Sequence, residues 1–286
     1  MCRHLAYLGP PVTLREAIID PPYGLYRQAW APRMMRSNGT MNVDGFGVGW
    51  YADGDPVPAR YRMAGPIWAD PSFADLTRVT RSGALLGAVR DASAGTEPGA
   101  SATAPFGADH WLFSHNGSLA GWPGSAAGLA ATLTPLELLE LDARVDSALL
   151  WALTLNRLRD GATPDEALAA VIGLLDAAQV SGRFNFLLTD GRMIAATAAG
   201  HSLWYRRTTQ TGGDSVVVAS EPADSEPGWI EVPDCSLLAA TPARVDVRPL
   251  EVPAEGSPDD AERVRRASFP EGMAATTTPD GRNPRQ

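Results

Sequence analysis

Lysine is absent. All 24 basic residues of the 286-residue chain are arginine, which removes Schiff-base chemistry and pyridoxal phosphate anchoring, since both need a lysine amine. Cysteine is almost absent: Cys2 and Cys235 are too few for a disulfide framework, and neither sits in a Cys-x-x-Cys metal spacing. Histidine is scarce, and His4, His110, His115 and His201 include no pair at the helical spacing of a zinc site. Positive charge is in deficit, with a formal net charge of -9; such a surface does not displace counterions from phosphates, so no nucleic-acid partner is expected. No run approaches the roughly 20 apolar residues of a membrane span, and the first residues lack the basic and then apolar stretch of a signal peptide. The reading is a cytoplasmic protein with no membrane partner, where a reducing environment keeps a thiol at position 2 free. Nothing in the sequence calls for a cofactor or a metal.

What is present is an ordinary globular composition, 44% hydrophobic and 20% charged, with enough chain to bury a substantial core. One large domain is expected over residues 2–250. Beyond that, proline, glycine, serine, threonine and charge dominate, so residues 251–286 read as a disordered tail. Strands are expected at 2–9, 45–51, 84–90, 111–115, 184–189, 193–197, 203–206, 216–220, 237–241 and 245–249. Helices are expected at 72–80 and 147–159 and from Thr163 onward. Thr13 with Glu16, and Thr163 with Pro164 and Glu166, carry the capping-box pattern that opens a helix. Residues 21–42 and 92–108 read as long loops. Strands, then a helix pair, then a second antiparallel group suggest an α+β layering.

Four features carry chemistry. Removal of Met1 would leave Cys2 with a thiol and a free α-amine on one residue; an α-amine titrates near about 7.7 to 8.0, so nucleophile and base come together. An arbitrary second residue is the bland alternative. In Phe113-Ser114-His115-Asn116-Gly117, Asn116 offers a side-chain amide and Gly117 an unobstructed backbone N–H, the two donors of an oxyanion hole; taken in isolation, the same residues read first as a plain Asn-Gly hairpin turn. Arg90 ends an apolar strand and is followed by the hydroxyl of Ser93, an arrangement able to take a carboxylate or to make a surface ion pair. Asp146 precedes a helix, where it caps the helix, receives an ammonium, or both. Cys235, beside Leu237 and Leu238, reads as a buried thiol rather than a second nucleophile.

In the order Cys2, Arg90, Asn116-Gly117, Asp146, these features resemble the class-II glutamine amidotransferase domain of the N-terminal-nucleophile hydrolases over roughly residues 2–250. The resemblance implies a four-layered αββα sandwich and a small-molecule γ-glutamyl substrate. It implies that Arg90 and Ser93 hold the glutamyl α-carboxylate, that Asp146 holds its α-ammonium and that His115 lies at the substrate site or supports Asn116. Trp30-Ala31-Pro32-Arg33, Asn42-Val43-Asp44-Gly45-Phe46-Gly47-Val48-Gly49-Trp50-Tyr51 and Cys2-Arg3-His4-Leu5-Ala6-Tyr7-Leu8-Gly9-Pro10-Pro11 are similar to the stand-alone ergothioneine-pathway amidohydrolases, which release glutamate from γ-glutamyl-hercynylcysteine sulfoxide; Tyr23-Gly24 departs from the His-Ser of related sequences. Tyr23, Tyr26, Trp30, Arg33 and Arg36 are candidates for the departing half of the substrate, whose trimethylammonium suits aromatic faces. Another γ-glutamyl amidase, a glutaminase with a synthetase partner and a non-catalytic binding module are the competing readings.

Overall fold

A computed structural model describes residues 2–35, 41–92, 96–209 and 211–250. In chain order the elements are β1 (Arg3–Thr13), α1 (Leu14–Ile18), α2 (Leu25–Gln28), β2 (Gly45–Trp50), β3 (Ala59–Met63), α3 (Pro71–Val79), β4 (Arg81–Arg90), β5 (Phe106–Ala108), β6 (Trp111–Leu119), α4 (Ala127–Ala130) and α5 (Pro135–Leu139). They continue with α6 (Asp146–Arg159), α7 (Pro164–Ala177), β7 (Gly182–Thr189), β8 (Ile194–Ala198), β9 (Trp204–Thr208), β10 (Ser215–Ala219), β11 (Ile230–Glu231), β12 (Ser236–Ala240) and β13 (Val245–Pro249). The tail expectation for residues 251–286 lies outside the described residues.

The strands form two antiparallel sheets. One runs β11-β9-β10-β1-β4-β2-β3 and the other β13-β12-β8-β7-β6-β5. Period-two alternation sorts side chains onto the two faces of each strand. In β1, Leu5 and Tyr7 face outward and pack with Leu14, Ile18, Leu25 and Phe73 from α1, α2 and α3. Ala6 and Leu8 face inward and meet, with Leu86, Val216 and Val218, the Leu112, Leu187, Ala196 and Leu238 of the second sheet. On the far face of that sheet, Phe113, Phe186 and Leu188 pack with Leu149, Leu153, Leu168 and Val171 of α6 and α7. Three apolar interfaces therefore join four layers, helix, sheet, sheet, helix, which is the expected αββα sandwich. The inner layer is closely filled at Gly49 of β2, where a Cβ would sit 2.7 Å from Leu112 Cδ1. Truncating a filled position there, such as Leu86, costs about 2–5 kcal/mol by the usual cavity cost.

Local signals are realised closely. Thr13 and Glu16 form the capping box of α1, and Thr163 and Glu166 that of α7. Other expectations change. The stretch 21–42 read as loop contains α2, and 92–108 contains β5. Asn116 and Gly117 are not a turn; they lie inside β6, which runs on to Leu119 because β7 pairs with it through Leu119 opposite Gly182. Cys235 is exposed with φ +55, in the tight connection leading into β12, so burial begins with Ser236 rather than at the thiol.

Candidate active site

Strand register gathers the candidate residues at one end of the sandwich. In the β1–β4 ladder Arg3 opposes Val89 and His4 opposes Ala88, so one further step sets Cys2 opposite Arg90. Alternation continues the inward row of Leu8, Ala6 and His4 to Cys2. The Cys2 thiol is free and half-buried, with Sγ 3.8 Å from the Asp91 carbonyl. Burial pushes its pKa up; the positive amino terminus, the Asp91 backbone and Arg90 pull it down, and the Asp91 carboxylate again raises it. A thiol held protonated needs a base at hand before it can attack.

Arg90 is buried. Its Nη2 donates to Thr96 Oγ1 at 3.2 Å and to the Glu97 carbonyl at 2.9 Å, while Nη1 has no partner among the described residues. An arginine tied on one nitrogen and unspent on the other suits an incoming carboxylate. Ser93, expected to assist it, lies outside the described residues. Asp44 holds the strand end in place, donating its N–H to the Arg90 carbonyl at 3.0 Å and accepting Ala92 N–H on Oδ2 at 2.7 Å.

Across the inner layer, β6 turns Leu112, Ser114 and Asn116 toward the first sheet. Ser114 Oγ meets His4 Nδ1 at 3.1 Å and Asn116 Nδ2 donates to Ser220 Oγ at 3.3 Å. The backbone of Gly117 has a different outlook. It opposes Phe184, whose N–H goes to Ala199 at 2.8 Å on the other side of β7. In an antiparallel ladder this makes Gly117 and Phe184 a non-hydrogen-bonded pair, so the Gly117 N–H points away from β7. On that side the pairing with β5 reaches no further than Phe106 opposite Phe113, and among the described residues no strand pairs with the remainder of β6 there. Leu119, two residues on, points the same way and gives its N–H to Asp146 Oδ2 at 2.9 Å. The buried Asp146 carboxylate thus lies about 7 Å along the edge from the Gly117 N–H, two residues of strand rise.

Asp146 is the first residue of α6 rather than its cap; Val145 occupies the cap position. Its Oδ1 accepts the Ser147 N–H at 2.8 Å. His115 points to the helical side of β6, where Nε2 meets the Arg183 carbonyl at 2.9 Å and Nδ1 meets Ser147 Oγ at 3.0 Å. A carbonyl only accepts, so Nε2 carries the proton and Nδ1 accepts from the serine. Burial lowers the pKa of the ring, opposed by Asp146 and by the Arg183 carbonyl. With both nitrogens engaged, His115 has no ring nitrogen to offer a ligand; it holds the start of α6 against β6.

The sequence reading missed a buried polar group behind Cys2. Arg3, fully buried, donates to the Cys2 carbonyl and to the Met34 carbonyl, each at 3.1 Å, and its Nε lies 3.9 Å from Glu221. Glu221 also accepts the backbone N–H groups of Arg33 and Met34 at 3.0 and 2.8 Å. An arginine on the face occupied by Leu5 and Tyr7 was the available signal. The early-loop residues pack on one another: the Tyr26 and Trp30 rings are 5.0 Å apart, Trp30 and Trp68 5.3 Å apart, and Arg33 lies 4.0 Å over Tyr23. Arg36 lies outside the described residues.

A family model for class-II glutamine amidotransferases matches residues 27–211. The chain belongs to the class-II glutamine amidotransferase family. Two relatives within reach of this amidotransferase chain are γ-glutamyl-hercynylcysteine sulfoxide hydrolases. That of Mycolicibacterium smegmatis is 38% identical over 250 residues, 87% of this chain and 100% of its own. That of Mycobacterium tuberculosis is 39% identical over 253 residues, 88% of this chain and 97% of its own. Among solved structures, a class-II domain protein from Silicibacter pomeroyi superposes with a TM-score of 0.60 at 25% identity, covering 87% of this chain and 99% of its own. The phosphoribosylpyrophosphate amidotransferase of B. subtilis reaches 0.61 at 16% identity over 87% of this chain and 49% of its own, a likeness of fold. Among the described residues no helix is long and apolar enough to cross a membrane.

Proposed function

We propose that this amidotransferase-family chain hydrolyses a γ-glutamyl amide through Cys2 and that its substrate is γ-glutamyl-hercynylcysteine sulfoxide. The observation that supports the reading is the convergence at one end of the sandwich: Cys2 one residue beyond the Arg3–Val89 pair, on the side of Arg90, across from the Asn116 amide and from the β6 edge that bears the Gly117 N–H and the Asp146 carboxylate. The two relatives with that printed activity, matched over nearly the whole of their chains, support the choice of substrate.

In this mechanism Arg90 takes the glutamyl α-carboxylate and Asp146 its α-ammonium, which sets the γ-carbonyl against Cys2. The α-amine of Cys2 accepts the thiol proton as sulfur attacks the carbonyl carbon. Negative charge develops on the carbonyl oxygen, where Asn116 Nδ2 and the Gly117 N–H stabilise it. Collapse breaks the carbon–nitrogen bond, and the amine of the departing half leaves with the proton held by the Cys2 ammonium. Water, deprotonated by the same amine, cleaves the γ-glutamyl thioester and frees glutamate. His115 acts as a positioning residue through Ser147 and the Arg183 carbonyl, and the Trp30 and Arg33 neighbourhood receives the trimethylammonium-bearing half.

The test is glutamate release from the sulfoxide conjugate, glutathione and glutamine by enzyme whose mass corresponds to loss of Met1. The conjugate is expected to be the preferred substrate, and Cys2→Ala is expected to abolish release while retaining the folded circular dichroism spectrum. Normal turnover by Cys2→Ala overturns the nucleophile assignment; preference for glutamine or glutathione overturns the substrate.

A further inference from the structure

Two polar rungs cross the apolar layer between the sheets. One joins His4 to Ser114 and the other joins Asn116 to Ser220. The second ends on a serine whose bonding capacity is fully committed. Ser220 directly follows β10 and is completely buried. Its Oγ accepts the His4 N–H at 3.0 Å and an Asn116 Nδ2 hydrogen at 3.3 Å, and its own proton goes to the His4 carbonyl at 3.3 Å. The Ser220 N–H donates to the same carbonyl at 2.9 Å, which locks the residue to β1 two positions from Cys2. A hydroxyl has one proton and two lone pairs, and here all three are used.

This bears on the orientation of the Asn116 amide. Its two ends have nearly the same shape but opposite hydrogen-bonding character. Were Oδ1 turned toward Ser220, two acceptors would face one another, because the serine proton is already given to His4. We infer that Ser220 is a positioning residue for catalysis: it selects the amide orientation of Asn116 in which Nδ2 is anchored by one hydrogen and its second hydrogen is left for the oxyanion. The inference rests on the proposed oxyanion role of Asn116. Without the Ser220 hydroxyl the amide is free to turn, and the wrong orientation sets a carbonyl lone pair against developing negative charge. The serine also ties the donor to the strand that carries the nucleophile, so attack and stabilisation share one frame of reference.

The experiment is a double-mutant cycle on glutamate release with Ser220→Ala and Asn116→Ala. Asn116→Ala is expected to lower kcat by about 10²–10³, as for loss of an oxyanion donor. Ser220→Ala is expected to lower kcat about tenfold with KM unchanged, because stabilisation confined to the transition state appears in kcat. In the Asn116→Ala background, Ser220→Ala should produce no further loss. Ser114→Ala, which removes the neighbouring rung without touching Asn116, should leave kcat within about twofold, as a surplus hydrogen bond does. Should Ser220→Ala not fold, Ser220→Cys keeps a side chain of similar shape with a weak acceptor and is expected to lower kcat alone. Wild-type kcat in the Ser220 variant, or an equal loss in both backgrounds, overturns the inference. A silent Asn116→Ala instead overturns the oxyanion reading on which it rests.

Discussion

Gly117 shows how little latitude one residue has in this site. A Cβ there would collide with the Arg183 carbonyl and come within 2.6 Å of His115 Nε2. The obstacle is backbone, so it cannot step aside as a flexible side chain would. Gly117→Ala is therefore expected to destabilise the protein by about 1–3 kcal/mol, the usual cost of overpacking. It should also lower kcat at least a hundredfold by displacing a donor; thermal unfolding and glutamate-release kinetics check the two effects separately. The amide of Asn116 and the unobstructed backbone N–H of Gly117 made both residues candidates for donors from the sequence alone. Their conformation was not readable, because the turn preference of an Asn-Gly pair is local whereas the pairing of β6 with β7 is made by residues some 70 positions apart. Cys235 illustrates the converse: apolar Leu237 and Leu238 are indeed buried, but a left-handed turn before them leaves the thiol outside.

At the scale of elements, the end of β10 does more than close a sheet. Ser220 turns inward to Asn116, and Glu221 turns outward to Arg3 and to the backbone of Arg33 and Met34. Removing this carboxylate would take away the negative charge that Glu221 sets beside the wholly buried Arg3 guanidinium. Glu221→Ala is expected to cost about 3–5 kcal/mol, the penalty for breaking one side of a buried pair, and to loosen the segment around Met34; denaturant unfolding and limited proteolysis near that segment are the measurements. A loss below about 0.5 kcal/mol, the range of ordinary surface changes, would contradict it. The capping boxes of α1 and α7 were legible because each is written within four consecutive residues. The Arg3–Glu221 pair was not, because it depends on β1 lying beside β10 across more than 200 residues.

At the scale of the whole molecule, two buried histidines do not take up protons readily. Burial is the largest cause for His4 and His201, and both are pushed down to about 3. In the unfolded chain a histidine titrates near about 6.5. Above that value both states are neutral and the contribution to stability is intact; below it the unfolded chain binds protons that the folded chain refuses, until pH falls through about 3. The unfolding midpoint is expected to drop between about pH 6.5 and pH 4, more steeply in the wild type than in His201→Gln. Equal slopes in differential scanning fluorimetry would show that His201 contributes nothing to the acid sensitivity. Alternation and the order of elements made an α+β layering legible and the ordered motifs, through the family resemblance, the αββα sandwich, while the shortness of β5 was hidden inside a stretch that read as loop. Because the pairing of β5 with β6 reaches no further than Phe106 opposite Phe113, the proposed mechanism brings the substrate to the Gly117 N–H where the carbonyl of a longer neighbouring strand would have been. On that proposal the reacting carbonyl finishes a ladder that the described residues leave incomplete. An inhibitor designed on it would then imitate a piece of β-strand as faithfully as it imitates glutamate.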